Sequence, residues 1–158
     1  MFGSSPGRVP LQVGDPAPAV TAVGDTGAPV DLGAAYGRQD WTLVYFYPKA
    51  DTPGCTRQGC ALRDGYAELT RRGVAVFGVS HDDVAAQAAF KAKYRLPFML
   101  LADPEGAVTA AFGVPTYPLL GTPRRQAYLI RGGKIVYADH AGTTDEQANV
   151  ILRFIAGA

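Results

Sequence analysis

The chain has 158 residues, 47% of them hydrophobic and 18% charged, with a formal net charge of +1. That length suits one domain with a substantial core, and the near-neutral charge excludes a basic nucleic-acid footprint or an acidic tail. No apolar run is long enough to cross a bilayer, and Arg71-Arg72 and Arg124-Arg125 are short, solvated pairs.

The opening MFGSSPGRVP carries early Gly, Ser and Pro and no apolar signal core. Residues 1–10 read as a mobile lead-in and residues 11–158 as one domain, and a cytoplasmic location is the expectation. Val20 to Asp31 predicts a hairpin turning at Gly24-Asp25-Thr26-Gly27, with Val20, Val23 and Val30 as its apolar residues. Leu32 to Tyr36 predicts one helical turn. Thr42-Leu43-Val44-Tyr45-Phe46-Tyr47 is β-branched, aromatic and apolar without a break, the pattern of a strand buried on both faces. Trp41 reads as packing at that strand's edge.

A helix is expected from Pro53 or Gly54 to Arg72, with Ala61, Leu62, Tyr66 and Leu69 at helical spacing and Gly73 as its stop. Val74 to Ser80 predicts a second buried strand. Asp82 or Asp83 then caps a helix carrying Val84, Ala88, Phe90 and Tyr94, which ends before Pro97. Phe98 to Leu101 predicts a short strand, Pro104 to Phe112 a short helix, and the proline-rich Pro115 to Pro123 a loop. Gln126 to Ile130 and Lys134 to Ala138 form a hairpin across Arg131-Gly132-Gly133, and Thr144 to Ala156 closes the chain as a helix with Val150, Ile151, Phe154 and Ile155 on its apolar face. Alternating strands and helices followed by a hairpin and a last helix argue for an α/β fold, a central mixed sheet with helices on both faces.

The chemistry concentrates where the first buried strand runs into the first long helix. Tyr47-Pro48-Lys49-Ala50-Asp51-Thr52-Pro53-Gly54-Cys55 ends a strand, makes a turn and places a thiol at a helix start. Free N–H groups and the positive end of the helix dipole stabilise a thiolate there. Pro53 suits the first helical turn, Asp51 or Thr52 can cap it, and Gly54 leaves the backbone beside Cys55 uncovered. Cys60, the second and last cysteine, follows five positions later. In an intact helix that offset sets the Cα atoms about 8.6 Å apart, beyond the roughly 7 Å a disulfide spans. A bond between them therefore requires part of the helix to unwind, and Gly59 and Gly65 ease this. A cysteine on a helix is otherwise a small buried hydrophobe, a reading that weighs more on Cys60 than on Cys55. Zinc fits poorly, since neither His81 nor His140 sits at ligand spacing. His81, just after a strand, reads as a surface or loop-packing residue, and Arg57 as a solvated helix residue.

The run Tyr45 to Cys60, with Ala61-Leu62-Arg63-Asp64 after it, resembles the peroxiredoxins, and within them the bacterioferritin comigratory protein or peroxiredoxin Q group. Leu11 to Pro18, Phe77 to Ser80, Tyr94 to Phe98, Leu101 to Gly106, Arg125 to Ile130 and Gly133 to Ile135 extend the resemblance over most of the chain. It implies a thioredoxin-like fold and the reduction of hydrogen peroxide or organic hydroperoxides without metal or organic cofactor. It implies Cys55 as the peroxidatic cysteine and Cys60 as the resolving one, joined during turnover in an intramolecular disulfide that thioredoxin or a similar dithiol reduces. Thr52, Pro48 and Arg125 fall on the companions of the peroxidatic cysteine, with Thr52, Gly54, Cys55 and Arg125 holding the peroxide. Arg124 and Arg125 both read as surface charge, and only the resemblance selects Arg125. It also implies a monomer and leaves open a dimer through the Pro48 side of the sheet. The readings kept beside it are a disulfide oxidoreductase, which would want two residues rather than four between its cysteines, and a redox-sensing interaction domain.

Overall fold

The computed structural model describes residues 9–158. Of the expected lead-in, the first eight residues lie outside the described ones. Val9 passes so close to Gly113 (φ +67°) that a Cβ there would meet its carbonyl oxygen at 2.0 Å.

Among the described residues seven strands form one sheet, in the order β2-β1-β5-β4-β3-β6-β7. They are β1 Thr21–Gly24, β2 Pro29–Asp31, β3 Trp41–Phe46, β4 Val74–Ser80, β5 Met99–Ala102, β6 Gln126–Arg131 and β7 Lys134–Asp139. The central β3, β4 and β5 are parallel, whereas β1 and β2 at one end and β6 and β7 at the other run antiparallel. Helices α1 Leu32–Tyr36, α2 Pro53–Asp64, α3 Tyr66–Arg71, α4 Val84–Tyr94, α5 Ala107–Ala111 and α6 Gln147–Ala156 cover both faces.

The unbroken apolar run of β3 follows from that cover. Leu43, Tyr45 and Tyr47 point into a core shared with Leu62, Leu69, Phe90 and Ile151 of α2, α3, α4 and α6. Val44 and Phe46 point into the opposite core, with Leu32, Val108 and Tyr128. Each such fully buried side chain contributes about 1.5–3 kcal/mol of transfer free energy. Trp41 is itself buried, with the Arg131 guanidinium 4.3 Å above its ring and Phe154 against its edge.

Two expectations are corrected. The helix from residue 53 to 72 is two helices, because it breaks at Gly65: a Cβ there would stand 2.9 Å from Ala148 Cβ, so α6 crosses where the chain has no side chain. In β1 the core-facing residue is Ala22, and Val23 points outward. Otherwise boundaries move by a few residues: the last helix begins at Gln147 and the short helix at Ala107. Asp83, not Asp82, caps α4, accepting from Ala86 N–H. Among the described residues no helix is long and apolar enough to cross a membrane.

Candidate active site

Because β3 and β4 are parallel, their C-terminal ends lie together, the edge where open α/β sheets place their sites. Tyr47 still donates its N–H to Val79, and the chain then leaves the sheet through half-buried Pro48 and exposed Lys49. Asp82, just past β4, fixes this loop. Its carboxylate accepts Ala50 N–H at 2.8 Å and the Ser80 hydroxyl at 2.6 Å. Asp51 follows with φ +61°, a left-handed conformation that few residues other than glycine adopt. Its carboxylate accepts from Lys93 Nζ at 2.8 Å and from the Tyr94 hydroxyl at 2.7 Å. The Lys93 hydrogen bond, then that of Tyr94, holds the Asp51 carboxyl below the usual range. Asp51 is thus a latch to α4, and the α2 cap position belongs to Thr52.

Thr52 is extended, and Thr56 N–H donates to its carbonyl to close the first turn of α2. Its hydroxyl donates to the Lys49 carbonyl at 2.7 Å, so the proton is committed to the loop and the oxygen keeps its acceptor capacity. Pro53 and Gly54 begin the helix, and Cys55 comes third, only 2% exposed. The N–H groups of Gly54 and Cys55 belong to the first turn, which has no carbonyl one turn back.

Arg125 arrives from the other end of the chain. Gln126, the first residue of β6, pairs with Phe46, the last of β3, so the residue before β6 stands beside the loop after β3. Arg125 Nη2 donates to Cys55 Sγ at 3.2 Å, and Nη1 donates to Gln58 Oε1 at 2.7 Å. Gln58 in turn donates from Nε2 to Gln147 Oε1 at 3.0 Å, and both glutamines are fully buried. Arg124 points out and stacks over Tyr117, its Cζ 4.6 Å from the ring centre. Tyr117, Arg124, Arg125, His140, Ala141 and Gly142 line an open cleft of about 300 Å³ beside the site. A guanidinium against a sulfur at a helix start favours negative charge on an oxygen bound there.

Cys60 is half-buried on the same helix, and both thiols are free. Helix α2 runs whole through both, so its geometry holds them apart by about 8.6 Å, too far for a disulfide. Gly59, between them, lies under Leu96 and Phe90.

The structure therefore brings together Cys55, Arg125, Thr52 and Gly54, with Pro48 at the loop entrance and Cys60 one and a half turns along α2. It adds Gln58 and Gln147, which the sequence did not single out, and Asp82, which the sequence offered only as a helix cap. A signal for the glutamines existed: Gln58 lies four residues before Leu62, and Gln147 four before Ile151, each at the end of a buried stripe. His81 Nε2 is 3.1 Å from the Thr109 hydroxyl, which donates to Asp103, so the imidazole supports the start of α5. His140 donates to the Leu11 carbonyl. Arg57 pairs with Asp145 at 3.3 Å, with both side chains exposed. Among the described residues no three His, Cys, Asp or Glu side chains are grouped to hold a metal ion.

Residues 13–138 match the AhpC/TSA family. The putative chloroplastic peroxiredoxin Q of Oryza sativa subsp. indica is 44% identical over 126 residues, 78% of this chain and 57% of that protein. The chain thus spans little more than half the length of that relative. The putative peroxiredoxin bcp of Coxiella burnetii is 43% identical over 104 residues, 66% of this chain and 68% of that protein. Peroxidoxin BcpB of Mycobacterium tuberculosis superposes with a TM-score of 0.86 at 30% identity, covering 93% of this chain and 97% of that one. Peroxiredoxin Q of Xanthomonas campestris gives 0.82 at 27% identity, covering 92% and 97%.

Proposed function

The chain belongs to the AhpC/TSA family, and from that premise we propose that it is a thiol-dependent peroxidase in which Cys55 reduces hydrogen peroxide or an organic hydroperoxide. The observation that carries the reading is the Arg125 guanidinium 3.2 Å from the Cys55 sulfur at a helix N-terminus.

In the first step the Cys55 thiolate attacks one peroxide oxygen. An S–O bond forms and the O–O bond breaks; sulfur is oxidised to sulfenic acid, and the leaving oxygen takes a proton and departs as water or alcohol. Arg125 and the Cys55 N–H stabilise charge developing on the oxygens. The Thr52 oxygen accepts a hydrogen bond from the peroxide, and Pro48 restricts water at the loop entrance. In the second step Cys60 attacks the sulfenic sulfur, forming S–S and releasing hydroxide, which leaves as water on protonation. The separation across an intact α2 supports a local unwinding before this step. An external dithiol such as thioredoxin returns both thiols by exchange and is itself oxidised.

The test is to treat reduced protein with one equivalent of hydrogen peroxide, block thiols within seconds and map both cysteines by mass spectrometry. A Cys55–Cys60 disulfide within one chain is expected. Sulfenic acid at Cys55 with Cys60 free would move resolution to another molecule, and two unreacted thiols would overturn the peroxidase reading.

A further inference from the structure

Arginine donates five hydrogen bonds and accepts none. A glutamine that contacts it must therefore turn its amide oxygen toward it, and its NH2 faces the opposite way. Gln58 does so: Oε1 meets Arg125 Nη1 at 2.7 Å, and Nε2 meets Gln147 Oε1 at 3.0 Å. Were the Gln58 amide turned over, its NH2 would oppose the guanidinium donor to donor and its oxygen would face the Gln147 oxygen. Arg125 thus fixes which end of Gln58 it meets, and Gln147, by accepting from the amine left facing away, holds the Gln58 side chain in that place. With Nη1 fixed, the planar guanidinium has little freedom, and Nη2 falls on the Cys55 sulfur.

The arrangement leaves a cost in place. Gln147 is 1% exposed, and its Nε2 has no hydrogen-bond partner among the described residues. Leu62 and Ile151 nearby on α2 and α6 are apolar and fully buried, so packing the two helices asks only for an apolar side chain here. A polar group with an orphaned buried amine is explained by what its oxygen does.

We propose that Gln147, on α6, is a positioning residue for Arg125 that acts through Gln58. Its effect on peroxide turnover rests on the peroxidase reading, whereas its effect on the Cys55 sulfur does not.

The test uses Gln147→Leu, Gln58→Leu and the double variant in a Cys60→Ser background, so that Cys55 alone reports. Three quantities are read: the second-order rate of oxidation by hydrogen peroxide, the pH midpoint of iodoacetamide alkylation, and the thermal midpoint. Gln147→Leu is expected to slow oxidation by about tenfold to about a hundredfold and to raise the alkylation midpoint, with little change in the thermal midpoint, because it exchanges one orphaned buried amine, at Gln147, for another, at Gln58. The double variant is expected to match Gln58→Leu, since Gln147 has no other route to Arg125. Wild-type rate and alkylation midpoint in folded Gln147→Leu, or losses that multiply in the double variant, would overturn the proposal. If the leucine variant does not fold, Gln147→Met carries the same three readouts. Should the parent react with peroxide no faster than a free thiol, the peroxidase reading fails while the alkylation midpoints still decide the role of Gln147.

Discussion

Gly54 leaves the space that the Arg125 guanidinium fills: a Cβ added there would stand 3.0 Å from Nη2 and 3.7 Å from Cζ. The atoms it meets are the far end of a flexible side chain, so the fold can absorb the change by moving the guanidinium. On the proposed mechanism, moving it weakens its contact with the Cys55 sulfur. Gly54→Ala is expected to keep thermal stability within about 1 kcal/mol and to slow Cys55 oxidation by roughly tenfold or more. Stopped-flow oxidation beside thermal unfolding checks this, and a wild-type rate would show that Arg125 need not hold its present position.

The two cysteines separate by step. Cys55→Ser is expected to abolish peroxide turnover. Cys60→Ser is expected to leave the first oxidation rate unchanged within about twofold, because it removes no group that touches the Cys55 sulfur in the reduced protein. Cycling with thioredoxin should stop in that variant. Coupled NADPH consumption beside single-turnover oxidation distinguishes the steps, and full cycling in Cys60→Ser would remove Cys60 from the mechanism.

The Asp51 latch carries a pH dependence of known sign. Its folded carboxyl is depressed by the hydrogen bonds from Lys93 and Tyr94, so the unfolded chain binds its proton at higher pH than the folded one. The contribution is present above about pH 4, the ordinary carboxylate value, and is lost as pH falls through the folded value. Asp51→Asn keeps a residue that tolerates the left-handed backbone but removes the charge. The thermal midpoints of the two proteins should therefore differ at neutral pH and converge only as the pH falls through the depressed folded value, below the ordinary carboxylate range. A gap that stays constant would mean that the ion pair adds nothing to the latch.

The sheet was legible because burial on both faces leaves a mark in composition: Val44 and Phe46 needed apolar partners as much as Leu43 and Tyr45 did. The Cys55 helix start was legible because Pro53 and Gly54 are local signals. Arg125 was not separable from Arg124 on local grounds. What distinguishes them is that Gln126 pairs with Phe46 across the sheet, a contact between residues 80 apart in number. The break at Gly65 was hidden for the same reason, since its cause is Ala148 on the last helix. Gln58 and Gln147 stand at the ends of buried stripes, but nothing in the sequence shows that each is the other's partner.

Four tyrosines set the alkaline limit. Burial holds the hydroxyls of Tyr36, Tyr45, Tyr47 and Tyr128 well above the ordinary range. Below about pH 10 they are neutral in both states and their contribution is complete; above it the unfolded chain releases protons that the folded chain keeps, so stability falls as pH rises. Denaturant midpoints should drop between about pH 9 and about pH 11. Two of the four differ in partners. The Tyr47 hydroxyl donates to Gln87 Oε1 at 2.6 Å, whereas the Tyr45 hydroxyl has no partner among the described residues. Tyr47→Phe is expected to cost about 1–3 kcal/mol and Tyr45→Phe to be neutral or stabilising. An equal loss in both would show that the Tyr45 hydroxyl is satisfied in solution.

Gly59 offers a test of the proposed unwinding step. A Cβ added there meets Leu96 at 3.6 Å and Phe90 at 3.7 Å, ordinary contact distances, so alanine fits where glycine now stands. Alanine favours the helical state by about 1 kcal/mol relative to glycine. Because Gly59 lies between the cysteines in the interior of α2, that preference acts on the intact helix and opposes the state in which they can bond. Gly59→Ala is therefore expected to raise the stability of the reduced protein by roughly 0.5–1 kcal/mol and to slow disulfide formation by about fivefold. The rate at which Cys55 first meets peroxide should not change, since the helix is whole at that stage. Rapid-quench thiol mapping resolves the two phases. Disulfide formation at the wild-type rate in a measurably stabilised variant would mean that the unwinding stops short of Gly59, and that Cys55 moves toward Cys60 on the first turn alone.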